Sequence, residues 1–221
     1  MIDHAYCINL ERSKERRASA QKQFEAHGLD VEMFNATDGN LEAPNKLFIS
    51  KPEWGCAMSH VRIWRDIVEN GYETTLVFED DADLQPNFTE NLGKILSELP
   101  PGWDYLNLGA PPSMINHLGP LSENISVGQS LLTHGYLINL KCAQKWALID
   151  VDHLKVAVDT FISNYPSLNL YAKVPIVWQS MTESNIGFLT RTYDLGFVIK
   201  KWGWIFILTI ILAFYIVWRY F

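Results

Sequence analysis

Apolar residues along this chain fall into short unbroken runs and longer stretches of helical period. Ala5-Tyr6-Cys7-Ile8-Asn9-Leu10 predicts a buried strand. Ser13 then stands as an N-cap before helix-forming residues 14–26, and Gly28 follows their end. Residues 31–35 predict a second strand. Residues 36–52, with Gly39, Pro44 and Pro52, read as a loop. Trp54, Met58, Val61, Trp64 and Val68 recur at helical spacing, closed by Asn70-Gly71. Thr75-Leu76-Val77-Phe78 predicts a strand, residues 87–99 an amphipathic helix stopped by Pro100-Pro101, and residues 105–108 another strand. Residues 109–130, with three prolines and three glycines, read as a long loop with room to cover a site. Strands over 131–140 and 168–174 and helices over 141–149 and 156–164 complete the pattern. The alternation predicts an α/β domain with a mostly parallel sheet. In such sheets ligands bind beyond the carboxyl ends of strands.

At one such end the apolar run stops in Glu79-Asp80-Asp81-Ala82-Asp83, four carboxylates in five residues. Crowded carboxylates repel one another unless a cation neutralises them. Oxygen ligands of this kind suit Mg²⁺ or Mn²⁺. The competing reading is a charge cluster favouring the helix that follows Pro86 and Asn87. The turn after the first strand, Asn9-Leu10-Glu11-Arg12-Ser13-Lys14-Glu15-Arg16-Arg17, places arginine forks at a helix start, which suits phosphate. It can equally be an ordinary charged helix surface.

Glu53-Trp54-Gly55-Cys56-Ala57-Met58-Ser59-His60 holds Cys56 and His60 four apart, half of a zinc pattern without a second pair. His60 reads as a core histidine or a contact to a polar ligand. Asp159 ends Val156-Ala157-Val158-Asp159 and reads as a helix-start acid or a general base, with Asp150 and Asp152 as competitors.

The 221 residues carry a net charge of −7, which argues against a nucleic-acid partner. Cys7, Cys56 and Cys142 are odd in number and widely spaced, so they read as buried thiols in a reducing compartment. Residues 202–218, WGWIFILTIILAFYIVW, hold no charge and would span roughly 25 Å as a helix, against a ~30 Å hydrocarbon core. Lys200, Lys201, Trp202, Trp204, Trp218 and Tyr220 resemble interfacial anchors. The expectation is a domain over 1–199 and a C-terminal membrane anchor over 200–221. That makes a single-pass tail anchor with the domain on the cytosolic face, where the sequons at Asn87 and Asn124 stay unmodified.

INLERSKERR, the strand ending Asn35-Ala36-Thr37-Asp38-Gly39, EWGCAMSHVRIW, VFEDDADL, HGYLINLKCAQKW, AVDTF, Gln179 and Ser184-Asn185-Ile186 occur here in one order. This ordered set resembles glycosyltransferase family 25, the lipooligosaccharide and collagen galactosyltransferase group, from about Tyr6 to Ile186. Ala157 stands where the family often has proline, and Asn185 where it often has aspartate.

The resemblance implies a GT-A-like, Rossmann-like single domain. It implies an inverting transferase that moves a hexose, commonly galactose, from a UDP-sugar to a glycan, lipid-linked or protein acceptor with Mn²⁺ or Mg²⁺. It points to Asp81, helped by Glu79 and Asp83, for the metal. The donor would lie against Asn9, Arg12, Arg16, Asp38, Ser59, His60 and Asp80, with Asp159 as base. The rival reading is a catalytically inactive, membrane-tethered family member that binds or scaffolds.

Overall fold

The structure is a computed structural model that describes residues 2–180, all within one compact unit. Ten strands and six α-helices are found among the described residues. In chain order they are β1 (His4–Asn9), α1 (Lys14–Ala26), β2 (Glu32–Asn35), α2 (Gly39–Glu42), α3 (Lys51–Asn70), β3 (Thr74–Glu79), β4 (Ala82–Leu84) and α4 (Phe88–Ser97). There follow β5 (Tyr105–Asn107), β6 (Ile115–Pro120), β7 (Ile125–Ser130), β8 (Gly135–Asn139), α5 (Leu140–Trp146), α6 (Val158–Asn164), β9 (Asn169–Ala172) and β10 (Val177–Gln179).

Eight strands form one sheet in the order β2-β1-β3-β8-β5-β9-β7-β6, and β10 pairs with β4 in a second, two-stranded sheet. The α/β class expected from the alternation is found, but the sheet is mixed rather than mostly parallel. β2–β1, β1–β3 and β5–β9 are parallel. β3–β8, β8–β5, β9–β7 and β7–β6 are antiparallel. The reason lies partly in residues 109–130. They are not a loop: they hold the antiparallel pair β6–β7, with a register shift between His117 and Gly119 that interrupts the alternation.

The two faces of the sheet are separate cores. On one face α3, α5 and α6 cover Tyr6, Val77, Tyr105 and Tyr136, with the rings of Trp64 and Trp146 tilted against each other at 5.0 Å between centres. On the other, α1 and α4 bring Phe24, Phe88, Leu92 and Ile95 onto Cys7, Leu76, Phe78 and Leu137. Alternation along β3 therefore decides where its end points. Val77 faces α3, so Glu79, two residues on, leaves the strand on the α3 side. Residues 36–52 are also more ordered than expected. Asp38 caps α2, and α3 begins at Lys51, with Ser50 and Glu53 in a reciprocal capping box. Pro52 is tolerated there because a first-turn N–H has no helical partner to lose.

The tail-anchored, cytosol-facing placement is corrected here. No helix among the described residues is long and apolar enough to cross a membrane. Residues 202–218 and the expected boundary at 199/200 lie outside the described residues, as do Ser184-Asn185-Ile186.

Candidate functional site

Three chain segments meet at the carboxyl ends of β1 and β3. Asn9, the last residue of β1, is 1% exposed, and its Nδ2 donates to Asp80 Oδ2 at 2.6 Å and to the Ser13 carbonyl at 3.2 Å. The second bond ties the strand end to the start of α1, although Ser13 itself makes no side-chain cap. One turn into α1, Arg16 pairs with Asp80 and lies 3.4 Å from Asp81 Oδ2. The Asp80 amide donates to the Ile8 carbonyl at 3.0 Å, so the acidic turn is stitched to β1 through the backbone as well. Arg12 pairs with Asp38 at the cap of α2, a second ion pair on the same edge.

Helix α3 presents Gly55, Ser59 and His60 to this edge. The Ser59 hydroxyl donates to the Gly55 carbonyl at 2.7 Å and accepts from the Thr37 amide at 2.9 Å. Ser59 thus holds the loop that carries Asp38. Gly55 allows that loop to approach: a Cβ there would stand 2.6 Å from the Gly39 nitrogen. His60 is fully buried. Its Nδ1 lies 2.9 Å from the Tyr136 hydroxyl, which also accepts from Trp64 Nε1 at 3.1 Å. His60 Nε2 is 3.4 Å from Glu79 Oε1, an electrostatic approach rather than a formed hydrogen bond.

The segment before β8 enters from the opposite direction. Thr133 Oγ1 donates to Glu79 Oε1 at 2.5 Å, and the Glu79 amide donates to the His134 carbonyl at 3.1 Å. Leu132 holds a left-handed φ of 69°, and its amide donates to Asp159 Oδ2 at 3.2 Å. Asn107 Nδ2 donates to the carbonyls of Leu131 and Leu132, at 3.2 and 2.8 Å. Asp81 Oδ2 accepts from Gln179 Nε2 at 3.0 Å. Asp83 joins none of these bonds: it sits on β4 opposite Trp178, between the inward-facing Ala82 and Leu84. The other two acids considered as bases have structural partners. Asp152 Oδ1 accepts from Trp54 Nε1 at 2.8 Å, and Asp150 pairs with His153 at 2.8 Å.

The structure therefore brings Asn9, Arg16, His60, Glu79, Asp80 and Asp81 together, with Arg12, Asp38 and Asp159 on adjoining segments. Thr133 and His134 were missed by sequence reasoning. His134 opens the HGYLINLKCAQKW motif, but the adjacent polar pair Thr133-His134 falls inside a predicted strand, where residue type alone marks no contact to Glu79.

The electrostatics are divided. Burial pushes the Glu79 carboxyl up, but His60, the Thr133 hydroxyl and His134 outweigh it and hold Glu79 at about 2. Asp80 is raised to about 6 by burial, against the pull of Arg16 and Asn9. Asp81 is raised by burial and then by Glu79, against Arg16 and Gln179. The cluster is short of positive charge. Among the described residues, Asp81 Oδ1, Asn9 Oδ1, Arg16 Nε, His60 Nε2 and His134 Nδ1 are buried without hydrogen-bond partners. An open, buried carboxylate oxygen beside under-neutralised acids fits an oxygen-ligated divalent cation.

This is an α/β domain with acids and arginines gathered at the ends of adjacent parallel strands, the edge at which domains of this class bind their ligands. The model of glycosyltransferase family 25 (LPS biosynthesis protein) matches residues 2–114, which include this edge, and the chain belongs to that family. It is 34% identical over 197 residues to a glycosyltransferase 25 family member of Aedes aegypti, covering 75% of this chain and 32% of the relative. It is 25% identical over 186 residues to procollagen galactosyltransferase 2 of Mus musculus, covering 73% and 30%. The chain thus spans about a third of the length of these curated relatives. Among solved structures it is similar to A197 from STIV, with a TM-score of 0.45, 10% identity and coverage of 79% and 82%. A second is a glycosyltransferase involved in glycosylation of the major capsid of PBCV-1, with a TM-score of 0.39, 9% identity and coverage of 65% and 62%. Those scores are too low for residue-by-residue comparison.

Proposed function

We propose that this protein is an inverting hexosyltransferase that uses a UDP-sugar, UDP-galactose by family expectation, at the crevice between the ends of β1 and β3. The acceptor would be a glycan, lipid-linked or protein hydroxyl. The observation that carries the reading is the convergence of buried, unpartnered polar atoms on that crevice, Asp81 Oδ1 foremost. Orphaned buried polar atoms are costly, and a ligand that supplies their partners explains why they persist.

Asp81 would hold Mn²⁺ or Mg²⁺, whereas Asp83 lies on β4 between the inward-facing Ala82 and Leu84, and Glu79 is engaged by Thr133 and His60. Such an ion, when bound, supplies Lewis-acid stabilisation of the charge on the departing diphosphate. Arg16 keeps its Nε free for a phosphate oxygen while its Nη2 anchors on Asp80. Asn9 fixes Asp80 and so the position of Arg16. Asp38, paired to Arg12 on the loop that Ser59 docks, would hold the ribose or base. His60 orients Glu79. Asp159 would take the proton of the acceptor hydroxyl at its carboxylate.

The test follows thermal unfolding of the full chain with a panel of nucleotide sugars, each with and without Mn²⁺. A sugar nucleotide at about 100 times its Kd adds ~2.7 kcal/mol to the folded state. A shift with one UDP-sugar, dependent on the metal and accompanied by sugar transfer, is expected. Absence of any shift would overturn the reading in favour of a family member that does not use a nucleotide sugar.

A further inference from the structure

Beside Glu79 and His60 stands Cys56, which the donor crevice does not use. Cys56 and His60 are four residues apart on α3, so both side chains lie on the face turned to the end of β3. One ligand atom each from Cys56, His60 and Glu79 lie within 4.8 Å of one another. His60 is fully buried, and its Nε2 has no hydrogen bond among the described residues, yet it points at Glu79 Oε1 from 3.4 Å. That separation is long for a hydrogen bond between these groups. It matches the edge of a tetrahedron whose metal–ligand bonds are about 2.1 Å. The other ring nitrogen is fixed by Tyr136, itself held by Trp64. A second contact of that kind sets the tautomer and ring plane of a metal-bound histidine.

We infer that Cys56, His60 and Glu79 form a site for a thiophilic divalent cation, zinc by its sulfur, nitrogen and oxygen donors, distinct from the oxygen-ligated ion assigned to Asp81. Three protein ligands leave the fourth position to water, an open coordination. The ion would bridge the 3.4 Å gap between His60 Nε2 and Glu79 Oε1 and clamp α3 to the end of β3. The site needs no nucleotide, so its failure leaves the UDP-sugar reading standing, and the converse also holds.

The experiment titrates the full-length protein with Co²⁺, a spectroscopic stand-in for Zn²⁺, without nucleotide. A thiolate-to-cobalt charge-transfer absorption is expected at one equivalent, bleached by Zn²⁺, absent in Cys56→Ser and retained in Cys142→Ser. A band that never forms, or that survives in Cys56→Ser, overturns the site. The wild-type protein provides a second readout that requires no variant to fold. Saturating Zn²⁺ should slow alkylation of Cys56, located by peptide mass, by at least tenfold. An unchanged rate overturns the proposal.

Discussion

A methyl group added at Gly55 would strike the backbone of residues 37–39. The new Cβ would stand 2.6 Å from the Gly39 nitrogen, 2.8 Å from the Thr37 oxygen and 2.9 Å from the Gly39 Cα. Carbon contacts sit comfortably at ~3.5–4.0 Å, so the loop must retreat by about 1 Å. That retreat breaks the 2.9 Å bond from the Thr37 amide to Ser59, costing about 1 kcal/mol. Overpacking of this kind adds roughly 1–3 kcal/mol. Alanine's better helix propensity returns about 1 kcal/mol. Gly55→Ala should therefore destabilise the protein by about 1–3 kcal/mol in urea unfolding followed by tryptophan fluorescence. Because the displaced loop carries Asp38 and its pairing to Arg12, UDP-sugar binding should weaken with it. Gly93→Ala is the control. Gly93 lies exposed in α4 with nothing within 4 Å of its would-be Cβ, so it should gain ~0.5–1 kcal/mol. If Gly55→Ala matches the wild type in stability, the close approach of α3 to the Asp38 loop does not exist.

Asp81→Asn removes a buried carboxylate held in its costly form beside Glu79, so unfolding stability should stay equal or rise. The ~2.7 kcal/mol of metal-dependent stabilisation by UDP-sugar should disappear, and a retained shift would exclude Asp81 as the metal ligand. Asp152→Ala leaves the Trp54 indole N–H without its acceptor and should cost roughly 1 kcal/mol in unfolding while transfer activity persists; loss of activity at full stability would instead make Asp152 a chemical group. Glu98 accepts from the Ser122 hydroxyl and from the Asn124 amide and side chain, which hold its carboxyl below the ordinary glutamate value. Its folded value is depressed, so the stability it contributes is present above an unfolded value of about 4.3 and fades as pH falls through the folded value. Glu98→Gln should flatten that part of the acid limb in pH-dependent urea melts, and an unchanged limb would refute the linkage.

What could be read from the residues alone tracks how local each signal is. The span of α1 follows from Lys14–Ala26 composition and the left-handed Gly28 beyond it, and α3 from its apolar spacing and the Gly71 stop. The acidic end of β3 was visible because an apolar run breaks abruptly. Strand direction was not visible, since a short strand looks the same whether its neighbour runs with it or against it. β6 and β7 stayed hidden behind prolines and glycines that mark an edge hairpin as readily as a loop. For Ser59 and Asp152 the residue type alone could not foretell the partners found, a Thr37 amide and a Trp54 indole, because hydroxyls and carboxylates look alike in a sequence whatever they meet.

The mixed sheet also explains how so many polar groups reach one edge. β1 and β3 run parallel and deliver Asn9 and Glu79 at their carboxyl ends. β8 runs against β3, with Gly135 opposite Phe78, so the residues just before β8 arrive at the same edge from the other side. That reversal lets Thr133 cap the Glu79 carboxylate and lets the His134 carbonyl take its amide. A third parallel strand in that place would deliver its own carboxyl end and leave residues 131–134 at the far edge. β5 is antiparallel to β8 and so ends at the site edge too, where Asn107 secures the Leu131 and Leu132 carbonyls and Asp159 secures the Leu132 amide. Asp159 and Glu79 are thereby held by one short segment, Leu132-Thr133, whose left-handed residue is strained for leucine. Loosening it at Asn107 should therefore disturb both, even though Asn107 contacts neither carboxylate.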